Sequence, residues 1–394
     1  MFKSVFIDNF RSFRDFSVDL SNVSVIVGNN AVGKSSFLLA MDFLCSFAKE
    51  EFSVFMDRNN ICVENIKNKF EKASKMRFES IIRLEIDGKE IELLWKVVLK
   101  VFLGNNEIFL SEEEISVGNE LLMYYREGEG FRYKTIKEDV VVATMDFRMY
   151  SSCLKNIRKE RADERIVALI DFLKKSESFA MLSPGEMRQS SRSKDFSIGV
   201  SGRNLSSFIK RMPEDVKRDY LHRIRNLRDI QIGEVTTKAK GKPGWVELEV
   251  LEAYGNRLYS FNAKEVSDGM LRLLAFLAIM EMGRNNSMFL LDEIENGINS
   301  SYAEQLIKMF SDLSEKNRIQ MLLTTHSTVF LDYVEKESII ILYRDKESGD
   351  TRAIPFMSIP GIEEKIEYMY PGEIVLNQGI SDLVESVLKE EKYD

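Results

Sequence analysis

Hydrophobic and polar residues at the start of the chain follow a pattern that predicts strands leading into a helix. Val5 to Ile7 and Phe16 to Leu20 alternate on either side of a turn, and Val23 to Val27 is a short apolar run. The glycine-rich residues 28–35 follow, and Ser36 to Phe47 is apolar enough for a helix packed in a core. Because a short apolar run bounded by turn residues is typical of a buried strand, this order predicts strand, loop and helix.

The middle of the chain changes from alternating to helical spacing. Residues 75–145 alternate in short segments, and Asp87-Gly88 separates two of them, which is a strong hairpin signal. We therefore expect an antiparallel β-meander over this region. Residues 150–228 carry helical spacing and predict an inserted helical lobe.

The C-terminal half alternates between strand and helix patterns. Because strands that alternate with helices favour a parallel sheet with helices covering it, we expect an α/β fold. Beyond the last strand we expect a hairpin and an acidic, frayed tail. The predicted elements are strands within 230–262, a helix after Gly269, a strand at Ser287 to Leu291, a helix at 302–314, and strands at Ile319 to Thr324 and Ser338 to Tyr343.

Composition limits the classes of partner. The chain has 394 residues, of which 44% are apolar and 30% charged, as in ordinary globular proteins. A net charge of −8 argues against a surface that coats nucleic acid throughout, so any such contact must be a local patch. Residues 151–245 carry an excess of lysine and arginine. This excess indicates either a solvated helical surface or a patch for nucleic acid or an acidic partner.

Cysteine and histidine are too scarce for a structural zinc site. Three cysteines without a CxxC pair and two histidines fit a reducing, cytoplasmic setting. The start of the chain has no signal-peptide apolar region, and no run of 18 apolar residues occurs. We expect a cytoplasmic protein without a membrane partner.

The strongest chemical signal is Gly28-Asn29-Asn30-Ala31-Val32-Gly33-Lys34-Ser35, the phosphate loop. It matches GxxxxGK[ST] between a predicted strand and a predicted helix, which is the context that favours a P-loop over a chance turn. Glycines let successive N–H groups face inward, and the helix that follows directs its positive end to the same point. Lys34 would bridge the β- and γ-phosphates of ATP, and the Ser35 hydroxyl would ligate Mg²⁺.

Two further strands are predicted to end in polar residues. Met288 to Leu291 leads into Asp292, expected in the Mg²⁺ shell, and Glu293, expected to polarise the attacking water. Glu295 is a nearby carboxylate that could be confused with Glu293 in a mutant study. The histidine loop, Thr324-Thr325-His326-Ser327, follows another strand. Its His326 is either structural or a hydrogen-bond donor to a γ-phosphate oxygen.

The fourth signal is Ser267 at the start of an apolar helix. The residue is either an N-cap alone or, with the exposed N–H groups, a phosphate ligand.

The four elements together resemble the ABC-type ATPases of the RecF/SMC/OLD group, in particular its compact branch without a long coiled coil or nuclease domain. The residues that carry the resemblance are Asn9-Phe10-Arg11-Ser12-Phe13, residues 28–35, the signature segment Ser267–Arg272 (SDGMLR), the acidic loop Asp292–Gly297 (DEIENG), residues 324–327 and Tyr370-Pro371-Gly372-Glu373-Ile374.

The resemblance covers nearly the whole chain, weakly through 50–225, and implies a mechanism. In such ATPases two copies pack head to tail, so Ser267 and Gly269 of one copy would contact the γ-phosphate held by the other. Arg11 would lie near the phosphates or the adenine. The resemblance implies a single ATPase head: a P-loop segment 1–50, the antiparallel region 75–145, the helical lobe 150–228, a segment 230–345 with the signature, acidic and histidine loops, and a C-terminal segment 346–394.

The expected site residues divide by role. The catalytic residues are Glu293, His326 and Lys34; the ATP-binding residues are Gly28, Asn29, Asn30, Ala31, Val32, Gly33, Lys34, Ser35, Ser36, Arg11, Ser267 and Gly269; and the Mg²⁺ ligands are Ser35 and Asp292.

The sequence differs from other members of the group at positions that disfavour some of their functions. The signature reads VSDGM rather than LSGGQ, which disfavours a transporter subunit, and no glutamine between residues 36 and 188 can serve as a Q-loop. Ile298-Asn299-Ser300 stands where relatives often carry Leu-His-Pro. The 232 positions from Ser35 to Ser267 lack sustained heptads, so we expect no long coiled-coil arm. Because 68 residues follow His326, we expect no appended nuclease domain of the OLD type.

Two functions remain. The first is an ATP-gated homodimeric switch in DNA maintenance or phage defence, acting through a separate effector such as a nuclease or toxin. The second is a RecF-like repair ATPase that binds DNA through the basic residues of the helical lobe.

Overall fold

The computed structural model describes residues 1–137, 139–144, 147–179, 182–194, 196–227, 231–283 and 285–390. The strands are β1 (Phe2–Asp8), β2 (Phe16–Asp19), β3 (Val23–Val27), β4 (Lys75–Ile86), β5 (Lys89–Phe102), β6 (Glu107–Val117), β7 (Glu120–Arg126), β8 (Gly130–Lys134), β9 (Val140–Ala143), β10 (Glu177–Ser178), β11 (Ile232–Ala239), β12 (Val246–Tyr254), β13 (Arg257–Asn262), β14 (Ser287–Leu291), β15 (Ile319–Thr324), β16 (Ile339–Arg344) and β17 (Thr351–Pro355). The helices are α1 (Lys34–Ser46), α2 (Phe52–Arg58), α3 (Val63–Ile66), α4 (Cys153–Asn156), α5 (Glu164–Lys175), α6 (Pro184–Met187), α7 (Leu205–Arg211), α8 (Glu214–Arg225), α9 (Asp268–Met280), α10 (Ala303–Asn317), α11 (Thr328–Leu331), α12 (Ile362–Lys365), α13 (Pro371–Gln378) and α14 (Ile380–Glu390).

A six-stranded sheet forms the centre of the molecule, in the order β10-β14-β15-β3-β16-β17. The strands from β10 to β16 run parallel, and β17 pairs antiparallel with β16. The register places Leu291 beside Leu323, and Thr324 beside Ile26. The carboxyl ends of β3, β14 and β15 therefore lie next to one another at one edge, as the alternation of strands and helices predicts.

Alternate residues of the parallel strands face two different cores. Ile26 and Leu322 belong to one cluster of buried side chains, whereas Val25 and Leu323 belong to the other. Because successive side chains of a strand point to opposite faces, a sheet covered on both faces needs continuous apolar runs. This requirement explains why the central strands read as unbroken apolar segments.

An eight-stranded antiparallel sheet, β2-β1-β4-β5-β6-β7-β8-β9, packs beside the central sheet. The hairpin predicted at Asp87-Gly88 is confirmed. Ile86 pairs with Lys89, and the two turn residues have φ of 50° and 76°, the left-handed values that a two-residue hairpin turn needs. A third sheet, β11-β12-β13, carries the remaining strands.

Two expectations about local structure are wrong. The C-terminal tail is not frayed through Glu390, because α14 buries Leu383 and Val384 against the core. Residues 150–228 are not purely helical, since β10 pairs in parallel with β14 at the edge of the central sheet. The boundary expected at residues 228–230 lies outside the described residues. Across the part of the chain that the structure describes, no helix is both long and apolar enough to cross a bilayer.

Candidate nucleotide site

The phosphate loop connects β3 to α1. Gly33 is the N-cap of α1 with φ 114°, and Ala31 also has a positive φ of 63°. Gly33 has no side chain to accept a capping hydrogen bond, so the first N–H groups of α1 are not occupied by an N-cap side chain. An uncapped helix start that follows a curled loop is a ready site for an anion. Asn29, Asn30, Ala31 and Ser35 are exposed around it, and Val32 is buried.

Lys34 lies inside the loop with only 7% of its surface exposed. Its Nζ donates hydrogen bonds to the carbonyl oxygens of Gly28 (2.9 Å) and Asn29 (3.0 Å). Burial lowers the pKa of Lys34, while the negative charges of Asp292, Glu293 and Glu295 act in the opposite direction. The structure thus brings the lysine and the carboxylates of the acidic loop within electrostatic reach of one another.

The phosphate loop packs against residues that the sequence patterns did not single out. A Cβ at Gly28 would lie 2.4 Å from the carbonyl oxygen of Leu342, and one at Gly33 would lie 2.7 Å from Oγ1 of Thr351. The buried Thr351 hydroxyl donates to the carbonyl oxygen of Val32 (2.6 Å) and shares a hydrogen bond with the Ser12 hydroxyl (2.7 Å). Only glycine permits these close approaches, which fixes the loop against β16 and β17. No sequence motif marks Thr351.

Asp292 and Glu293 follow β14 and meet Thr324 at the end of β15. The Thr324 hydroxyl donates to Oδ1 of Asp292 and accepts from the backbone N–H of Glu293 (2.8 Å). Glu293 has a left-handed backbone, φ 47°, and its Oε2 accepts from Nδ2 of Asn296 (2.9 Å). Thr324 was part of the predicted histidine loop, but its role as the partner of both acidic residues comes from the tertiary structure.

Both carboxylate oxygens of Glu295 accept hydrogen bonds from the histidine loop. Its Oε2 accepts from the Thr325 hydroxyl (2.8 Å), and its Oε1 accepts from the backbone N–H of His326 (2.5 Å). The imidazole-bearing residue His326 is itself exposed. The two carboxylates that the sequence could not separate therefore have different partners.

Arg11 lies at the start of α1. Its backbone is left-handed, φ 49°, and its Nη1 donates to Oγ of Ser36 (3.3 Å). Burial lowers the pKa of its guanidinium. Arg11 and Ser36 are thus brought together at the start of α1. The contact of Arg11 with the phosphates or the adenine stays a prediction.

The signature segment lies next to the end of the acidic loop. Ser267 is exposed, and its Oγ accepts from the backbone N–H of Met270 (3.3 Å), which confirms the predicted N-cap. A Cβ at Gly269 would lie 1.9 Å from the carbonyl oxygen of Gly297. Asp268 pairs with Arg188 at 2.6 Å. These contacts join the signature segment to Arg188, to the first turn of α9 and to the acidic loop.

The residues present fit a nucleotide with Mg²⁺. Mg²⁺ in phosphate-binding sites usually takes one or two protein oxygens and completes its shell with phosphates and water. The carboxylate of Asp292 and the hydroxyl of Ser35 supply that kind of donor. Among the residues described, no three His, Cys, Asp or Glu side chains form a preformed metal cluster.

Many cations of the helical lobe are already engaged. Lys155, Lys159 and Arg165 form ion pairs with Glu51, Asp171 and Glu120 respectively. Arg188, Arg203, Lys217 and Arg223 also pair with acidic side chains. Lys210 and Arg218 are among the lobe cations that form no ion pair within the described ranges. Part of the basic excess is therefore neutralised locally.

Comparison with known proteins finds similarity to ATPase families. A family model described as "AAA domain, putative AbiEii toxin, Type IV TA system" matches residues 159–332. The DNA replication and repair protein RecF of Clostridium acetobutylicum is 28% identical over 163 residues, which cover 38% of this chain and 40% of that protein. The match thus spans less than half of the relative's length.

Solved structures share the fold. An Smc head bound to the C-winged helix domain of ScpA is similar with a TM-score of 0.54 and 14% identity, covering 90% of this chain and 96% of that one. An Smc head with an extended coiled coil from Pyrococcus furiosus has a TM-score of 0.52 and 11% identity, covering 93% and 99%. At these identities the likeness concerns the fold alone.

A second family model, described as an AAA ATPase domain, matches residues 1–197, which is half of the 394-residue chain. The matched range contains the phosphate loop. The chain therefore belongs to the AAA ATPase domain family, as an ABC-type ATPase of the RecF/SMC-like kind.

Proposed function

We propose that the protein binds ATP at the phosphate loop and hydrolyses it to ADP and phosphate. The observation that carries the proposal is the meeting of three loops at one edge of the parallel sheet, with the acidic loop in electrostatic reach of Lys34. Residues 28–36 surround the phosphates, Lys34 neutralises them, and Arg11 lies beside them. Ser35 and Asp292 would hold Mg²⁺, which would supply charge neutralisation on the phosphate oxygens.

Glu293 is the residue proposed to orient and deprotonate the attacking water. In the described part of the chain only its Oε2 has a hydrogen-bond partner, so Oε1 is free to accept from water. His326 follows the neighbouring strand and donates to a γ-phosphate oxygen. The acidic loop thus supplies the general base, and the histidine loop supplies a hydrogen-bond donor to the same γ-phosphate.

We also propose that two copies close head to tail over shared ATP. Ser267 caps its own helix and Gly269 lies against its own acidic loop, so the exposed helix start is available to a second copy's nucleotide. ATP binding favours the closed pair, and hydrolysis releases it. This cycle would act as a switch in DNA maintenance or phage defence, read by a separate effector such as a nuclease or toxin. The names of the similar proteins, a DNA repair protein and a toxin family, support this setting.

The test is the oligomeric state of Glu293→Gln with ATP, measured by size-exclusion chromatography with light scattering. We expect a dimer with ATP and a monomer with ADP, because the variant binds ATP without turnover. Ser267→Arg in the same background is the matched control and should bind ATP while staying monomeric. A Glu293→Gln protein that binds ATP yet stays monomeric at all concentrations would refute head-to-tail closure.

A second candidate is a DNA-binding repair ATPase. The match to RecF favours it, and Lys210 and Arg218 are two of the lobe cations without an ion pair among the described residues. The ion pairs of the seven engaged lobe cations argue for a smaller DNA contact than the sequence count alone indicates.

A further inference from the structure

Glu295 has a geometry that its sequence position does not explain. It lies two residues after Glu293, yet both of its carboxylate oxygens accept hydrogen bonds from the histidine loop. We propose that Glu295 is a positioning residue that holds His326 in place relative to Glu293. The inference rests on the proposed ATPase function and assigns a role to a carboxylate outside the predicted catalytic set.

The two hydrogen bonds hold two adjacent residues of the histidine loop, Thr325 by its side chain and His326 by its backbone. Oε2 accepts from the Thr325 hydroxyl at 2.8 Å, and Oε1 accepts from the His326 N–H at 2.5 Å. A carboxylate is the side chain suited to this task, because it accepts at two oxygens and its charge strengthens both bonds. The peptide unit that carries the imidazole is therefore tied to the acidic loop.

Thr325 extends the connection to a third loop. It is fully buried, and its backbone N–H donates to the carbonyl oxygen of Ile26 (3.1 Å), just before the phosphate loop. Its hydroxyl also accepts from the N–H of Ser327 (3.0 Å). Glu295 thus joins a hydrogen-bonded chain that runs from β3 through the histidine loop to the acidic loop. A shift of the acidic loop moves His326 with it.

The role differs from that of Glu293. The Glu293 carboxylate accepts from Asn296 of its own loop, whereas both oxygens of the Glu295 carboxylate accept from the neighbouring loop. A proton taken up by Glu295 from water would weaken these charge-assisted bonds. We therefore expect Glu295 to affect turnover through His326 and not through direct contact with substrate.

The kinetic test compares Glu295→Ala with Glu295→Gln. Alanine removes both acceptors, and the partly exposed position lets water fill the space. Glutamine keeps one oxygen for the His326 N–H, and the Thr325 hydroxyl can rotate to accept from its amide. We expect Glu295→Ala to lower kcat roughly 10- to 100-fold, the loss typical of a displaced catalytic group. Glu295→Gln should retain kcat within about threefold, and KM for ATP should change less than kcat in both.

His326→Ala separates positioning from a general structural effect. If Glu295 acts through His326, adding Glu295→Ala to His326→Ala lowers kcat no further. Multiplied losses in the double variant would overturn the proposal. Urea denaturation of each variant identifies any that lose activity by unfolding.

An NMR experiment tests the positioning role even if the protein does not hydrolyse ATP. His222 and His326 are the two histidines of the chain, so selectively labelled histidine gives two imidazole signals, assigned with a His222→Asn variant. Glu295→Ala should shift or broaden the His326 signal and leave that of His222 unchanged, and Glu295→Gln should restore it. An unchanged His326 signal in Glu295→Ala overturns the positioning role. Absence of ATP turnover in the wild type refutes only the proposed function.

Discussion

Gly269→Ala tests whether the signature glycine is needed for packing within one copy. A Cβ at this position would lie 1.9 Å from the carbonyl oxygen of Gly297, and Cβ contacts under 3.0 Å essentially never occur. The start of α9 and the acidic loop must therefore separate by at least 3.0 − 1.9 = 1.1 Å. Both sides of the contact are backbone, so no side-chain rotation can relieve it.

The expected cost in free energy of unfolding is about 1–3 kcal/mol, the usual range for overpacking. The gain in helix propensity from glycine to alanine, roughly 0.5–1 kcal/mol, offsets only part of this cost. Because Gly297 ends the loop that carries Glu293, we also expect slower ATP turnover with nucleotide binding retained.

The measurement is urea denaturation, together with ATP binding and turnover. Gly104→Ala is the matched control, since a Cβ there meets nothing within 4 Å and the backbone is not left-handed. A Gly269→Ala protein as stable as the wild type that has lost only ATP-dependent dimerisation would refute the packing argument. That result would assign Gly269 to the contact between copies instead.

Two further predictions concern the phosphate loop and the helical lobe. Thr351→Val should lower the free energy of unfolding by about 1–3 kcal/mol and weaken ATP binding, because it leaves the buried carbonyl oxygen of Val32 without its donor. Thr351→Ser should restore both stability and ATP binding, as measured by denaturation and by titration with a fluorescent nucleotide. Wild-type behaviour of Thr351→Val would contradict the role of Thr351 in holding the phosphate loop. If the protein binds DNA, affinity should fall steeply with salt, and a Lys210→Glu, Arg218→Glu double variant should flatten that dependence in fluorescence anisotropy, whereas a salt-independent signal would exclude phosphate contacts.

Local patterns were sufficient to predict the elements that form the site. The unbroken apolar runs before Gly28 and Asp292 identified strands that are buried on both faces, and the left-handed Asp87-Gly88 turn followed from residue type alone. The N-cap at Ser267 was equally local, since the accepting hydroxyl of Ser267 and the donating N–H of Met270 are three residues apart. Such features depend on interactions between near neighbours, which a sequence displays directly.

The tertiary structure decided which side chains meet. Glu293 and Glu295 have the same chemistry and nearly the same position, and only the pairing of β14 with β15 gives the second of them to Thr325 and His326. Thr351 reaches Val32 across 319 positions of chain, and Gly269 meets Gly297 because two loops approach each other after folding. The sequence by itself determined the periodicity, the turn conformations and the phosphate-loop motif. The partners of each carboxylate were decided by strand order and register, because long-range contacts depend on how distant segments pack and leave no spacing pattern along the chain.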